Sequence, residues 1–88
     1  MTDADILAGL HDYIANEVLE GEDVGLEAST PLLELGVLNS MEIMKLVSHI
    51  ENRFEVTVPM GKILAESFKD LNAITDMVVE LAQDPSNQ

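Results

Sequence analysis

Ser40 is the residue of this chain best placed to do chemistry. It lies in the run Leu35-Gly36-Val37-Leu38-Asn39-Ser40-Met41-Glu42-Ile43, where an apolar stretch gives way to the start of an amphipathic helix. The first amide groups of a helix have no intrahelical acceptor and favour a bound anion. A phosphodiester on the Ser40 hydroxyl would sit among those amides. An unmodified serine is also common at a helix start, and the residue types alone leave both readings open. The rest of the chain offers little competing chemistry. With no cysteine there is no disulfide and no thiolate metal site, so any thiol chemistry must come from an added group. His11 and His49 read as partly exposed helix residues. The acids do not follow a calcium-loop spacing, and no glycine-rich phosphate loop occurs. No nucleophile–base pair is evident, so the chain does not read as an enzyme.

Helical periodicity supplies the elements that position Ser40. Ile6, Leu10, Ile14 and Val18 recur at a spacing of four, with Leu7 and Tyr13 beside them, and predict a first helix from about Asp3 to Leu19. Thr2 and Asp5 resemble a capping box at its start, and Gly21 ends it. Residues 20–38 form a long connection, acidic in its first half and apolar in its second, which must therefore pack onto the helices. The second helix starts at Asn39 or Ser40, with Asn39 as N-cap and Glu42 three residues on. Its core stripe is Ile43, Leu46, Val47, Ile50 and Phe54. Val56-Thr57-Val58-Pro59 is extended, since proline disfavours helix in the residue before it. Ile63, Leu64 and Phe68 anchor a short helical turn within residues 60–69. A last helix runs from about Asp70 to Gln83 on Leu71, Ile74, Val78 and Leu81, with Met77 and Val79 flanking, and residues 84–88 are a frayed tail. Apolar stripes on helices bury against each other. The expected fold is all-α: a small four-helix bundle of three main helices and one short helix or turn, with a long structured loop between the first two.

Met41 and Met44 fall off the core stripe beside Ser40. Flexible, polarizable methionines suit a face that meets several partners in turn.

Eighty-eight residues make one domain, 1–88, able to hold a core but hardly a deep cleft as well. Hydrophobic residues are 47% and aromatics 3%, so the core is aliphatic. Seventeen acids against four bases give a net charge of −13. Such a surface repels nucleic acid and anionic membranes and steers basic protein partners. No apolar run reaches the length of a membrane span and the N-terminus lacks a signal-peptide pattern, so the expected location is the cytoplasm.

The run Leu35-Gly36-Val37-Leu38-Asn39-Ser40-Met41 resembles the Leu-Gly-x-x-Asp-Ser-Leu signature of acyl and peptidyl carrier proteins. Thr30-Pro31-Leu32 is similar to the loop before that signature. Arg53-Phe54-Glu55-Val56-Thr57-Val58-Pro59 is similar to the end of the second helix and the segment after it, and Phe68-Lys69-Asp70-Leu71 to the approach to the last helix. The resemblance covers essentially the whole chain. It implies that a phosphopantetheinyl transferase attaches a 4′-phosphopantetheine arm to Ser40, with Asn39 beside it. An adenylating ligase or acyltransferase then loads the thiol. Downstream tailoring or condensing enzymes dock through Leu38, Met41, Met44 and Lys45.

Two departures bear on partners. Asn39 stands where the signature has Asp, which keeps a cap but removes a charge. Lys45 stands on the exposed face, where fatty-acid carriers tend to show an acid. The Asn-Ser variant and its flanking segments look most like standalone peptidyl-type carriers of prolyl or pyrrolyl thioesters in natural-product pathways. The expectation is therefore a monomeric aminoacyl carrier working in trans. The alternatives are a carrier of fatty or polyketide chains and an acidic helical adaptor with no prosthetic group.

Overall fold

The computed structural model describes residues 3–18 and 26–84. Three α-helices carry the fold: α1 (Asp3–Tyr13), α2 (Ser40–Phe54) and α3 (Leu71–Gln83). They are all-helical company for two single 3₁₀ turns, Met60–Lys62 and Ala65–Ser67, and no strand occurs among the described residues.

The stripe expected for the first helix is real, but the helix is not uniform. Ile6 and Leu10 are buried on α1, and beyond Tyr13 the chain widens into a π turn over Ile14–Val18 that keeps Ile14 wholly buried. A spacing of four fits either pitch, so the sequence does not distinguish them. Thr2, Leu19, Gly21, residues 20–25 and the tail 85–88 lie outside the described residues.

Helix α2 begins as its capping residues dictate. Asn39 is extended (φ −121°, ψ −177°), and its Oδ1 accepts the Glu42 amide at 2.9 Å. Leu46, Val47, Ile50 and Phe54 face the core. Glu55 stops the helix in the left-handed region (φ 55°, ψ 43°). From there the chain runs extended, burying Val56 and Val58 and exposing Thr57 and Pro59. The Glu51 carboxylate accepts the Val58 amide at 3.0 Å and fastens this segment to the last turn of α2.

The expected fourth helix is realised as the two 3₁₀ turns. Phe68 is its anchor, fully buried, and Ile63 is partly buried. Leu64 is not an anchor: it sits extended between the turns and is 53% exposed. Helix α3 starts at Leu71 because Asp70 serves as its cap, accepting the Ala73 amide at 2.8 Å. Leu10, Ile14, Leu46, Ile50, Leu71, Ile74 and Val78 interlock as one aliphatic core between the helices.

The apolar half of the long loop packs onto that core through Leu26, Leu32 and Leu38. Backbone bonds tie it to the far side of the molecule, Leu32 N–H to the Lys69 carbonyl (2.8 Å) and Asn72 N–H to the Ala28 carbonyl (3.1 Å).

Candidate functional site

Ser40 owes its position to a tight turn one step before it. Residues 31–37 make a single helical turn, closed by Val37 N–H to Leu32 O (2.9 Å) and Gly36 N–H to Leu33 O (3.2 Å). This crossed pair is a Schellman termination, which needs its penultimate residue in the left-handed region. Gly36 supplies it with φ 74°. A Cβ there would meet nothing within 4 Å, so the demand is on the backbone and not on space. The turn drops Leu38 into the core and delivers Asn39 to the start of α2. Leu38 is therefore 3% exposed and is not part of any partner face.

Ser40 itself is exposed, as the first residue of α2. Two amides of this turn are engaged: Glu42 N–H with Asn39 Oδ1, and Ile43 N–H with the Asn39 carbonyl at 2.8 Å. Those of Ser40 and Met41 have no acceptor in the described chain and are free to donate to an anion. Beside Ser40 opens a groove of about 490 Å³, walled by Leu33, Ile43 and Met44 on one side and Ile63, Leu64, Ala65 and Phe68 on the other. Its rim bears exposed apolar side chains, Met44 at 52% and Leu64 at 53%. Met41 is exposed on the same turn of α2 as Ser40, and Lys45 one turn on, near Glu42 at 3.8 Å. A phosphodiester on Ser40 Oγ fits this geometry. Ser40 is exposed, the amides of Ser40 and Met41 are unengaged, and a mostly apolar groove adjoins it. Of the expected site residues, Asn39, Ser40, Met41, Met44 and Lys45 are together at the start of α2. Leu35 and Leu64 are also exposed, and no periodicity marks them because one stands in a single turn and the other in an extended link.

The histidines take no part in this site. His11 Nε2 is 3.1 Å from the Leu26 carbonyl and holds the loop to α1. His49 stacks on Tyr13, ring centroids 4.1 Å apart. No cluster of metal-ligating side chains occurs among the described residues.

Residues 13–78 match the family described as "Phosphopantetheine attachment site". The chain is 32% identical over 76 residues to the probable acyl carrier protein PigG of Serratia sp. (strain ATCC 39006), covering 86% of this chain and 87% of that protein. It is 40% identical over 60 residues to the D-alanyl carrier protein of Streptococcus suis (strain 98HAH33), covering 68% of this chain and 76% of that protein. Among solved structures, a chain in a crystal structure of an FAD-dependent dehydrogenase superposes with a TM-score of 0.74 at 34% identity, over 80% of this chain and 99% of the other.

Proposed function

Because the chain belongs to the phosphopantetheine attachment-site family of carrier proteins, we propose that Ser40 bears the arm and that the cargo is an aminoacyl group, prolyl or pyrrolyl. Family membership itself makes the protein a carrier of covalently attached 4′-phosphopantetheine and not an enzyme. The prosthetic group supplies the thiol that this cysteine-free chain lacks. The adaptor reading, which had no prosthetic group, is thereby set aside.

One observation carries the placement on Ser40: an exposed hydroxyl on the first turn of a capped helix, with free amides below it and an apolar groove beside it. The chain's own contribution is positional. Gly36 and Asn39 fix where the hydroxyl stands, the free amides offset the phosphodiester charge, and the groove gives the arm an apolar wall.

Two similarities support an aminoacyl cargo. The D-alanyl carrier proteins hold an amino acid by name. The chain matched in the dehydrogenase structure is no longer than this one, a length that leaves no room for a flavin-binding fold. A carrier-like chain in that company is consistent with oxidation of the cargo while it is held. Prolyl and pyrrolyl groups are related by two successive two-electron oxidations, the chemistry a flavin enzyme supplies. The partners are then a phosphopantetheinyl transferase, an adenylating ligase and a tailoring dehydrogenase.

Offering the holo protein proline, D-alanine and medium-chain acids with the matching ligases, and reading the intact mass, tests the cargo. A prolyl adduct is expected. Loading by fatty acids alone would assign the groove beside Ser40 to an acyl chain instead.

A further inference from the structure

The chain has no cysteine, so its own sulfur is confined to the thioethers of five methionines. A peroxide meeting the protein finds no thiolate of the chain to consume it and reacts with the thioethers it can reach. Burial sorts these. Met41, Met44 and Met60 are 67%, 52% and 81% exposed, whereas Met77 on α3 faces the core at 5%.

The three exposed methionines differ in what their oxidation would change. Met60 opens the first 3₁₀ turn, and Met41 points to solvent on the first turn of α2. Met44 alone of the described methionines walls the groove beside Ser40, with Leu33 and Ile43. No charged side chain of the described residues lines that groove, and its polar members are Asn39 and Ser40. A sulfoxide at Met44 would put a strong hydrogen-bond acceptor into this apolar wall, where it loses water whenever the groove is covered. The dehydrogenase proposed as partner supplies an oxidant by its own chemistry, since a reduced flavin reoxidised by dioxygen releases hydrogen peroxide. While cargo is held as a thioester, the arm has no free thiol to intercept it.

Resting on the carrier reading of Ser40, we propose that Met44 is a modification site for hydroperoxides and that its sulfoxide weakens the use of Ser40 until it is reduced. The thioether sulfur attacks one peroxide oxygen, the O–O bond breaks, an S–O bond forms, and water leaves with both protons. Sulfur gives up two electrons and the peroxide takes them. Methionine sulfoxide reductases reverse the change, so the site can act as a switch.

The test treats apo wild type, Met44→Leu and Met60→Leu with hydrogen peroxide and locates the added oxygen by peptide mass mapping. Circular dichroism checks that each treated protein is folded. Met44 should be oxidised at least about fivefold faster than the buried Met77. KM and kcat for phosphopantetheine transfer to Ser40 are then read by intact mass. Oxidation should raise the wild-type KM by about threefold or more with kcat little changed, and reductases acting on both sulfoxide epimers should restore it. Met60→Leu should respond as the wild type does. Met44→Leu, which keeps an apolar wall but no sulfur there, should stay within about twofold of its own untreated KM. A loss that persists in Met44→Leu would move the effect to Met41 and overturn the proposal, as would an unchanged KM in the oxidised wild type. Untreated wild type that gains no phosphopantetheine counts against the carrier reading, and the order of oxidation still decides whether Met44 is the reactive site.

Discussion

His49 stacks on Tyr13 where α2 meets the end of α1, and its Nε2 is buried with no hydrogen-bond partner. Burial, and secondarily the nearby Arg53 charge, hold its pKa below 6.5, against a smaller upward pull from Glu17. Tyr13 is shifted the other way, raised above 10.0 by burial first and then by Glu42 and Glu17. Both shifts favour the neutral ring in the folded protein. For a histidine whose folded pKa is depressed, the unfolded chain binds the proton first. Its contribution to stability is complete above the unfolded value and is lost as pH falls through the folded one. Urea midpoints at about pH 7.5 and pH 5.5 bracket the unfolded histidine value. The midpoint should fall on acidification in the wild type, and fall less in His49→Phe, which keeps a ring for Tyr13 but cannot take a proton. Equal falls in both would place the acid sensitivity elsewhere.

At the scale of elements, the ends of α2 are where single residues matter most. Asn39→Ala removes the acceptor for the Glu42 amide and should lower stability by about 1 kcal/mol in denaturant melts. Glu55 adopts a left-handed conformation (φ 55°) that strains a residue with a Cβ. Glu55→Gly should therefore raise stability by about 0.5 kcal/mol, and a loss would show that the Glu55 side chain makes a contact worth more than its strain. The core stripes of α2 and α3 were legible in the sequence because burial follows a helical period. Asn39 and Ser40 were legible because caps have characteristic side chains. Leu38 was not. In a loop no period separates inward from outward residues, and the Schellman turn at Gly36 that sends Leu38 into the core depends on a backbone angle. For the same reason the sequence marked Leu64 as an anchor, whereas the extended link between two 3₁₀ turns leaves it on the rim of the groove. The widening of the first helix beyond Tyr13 left no trace in a spacing of four.

At the scale of the molecule, a net charge of −13 is held within a radius of gyration of 12.1 Å. That radius is comparable to the screening length of about 10 Å at 0.1 M salt, so most of the acids repel one another at low ionic strength. The melting temperature should rise as salt is added from about 0.01 M to about 0.5 M. A falling one would mean that specific ion pairs, such as Lys62–Glu80 at 2.8 Å, outweigh the general repulsion. No helix among the described residues is long and apolar enough to cross a membrane. The proposed attachment site lies at the start of α2, where Ser40, two unengaged amides and an apolar groove meet. Its most direct test is the intact mass of the protein after incubation with coenzyme A, Mg²⁺ and a broad-specificity phosphopantetheinyl transferase, with Ser40→Ala alongside. Ser40 follows the Asn39 cap, so Ser40→Ala should leave the helix folded. One phosphopantetheine on the wild type and none on the folded variant is the predicted result; an unmodified wild type, or a variant that still gains the group, would contradict the assignment of Ser40.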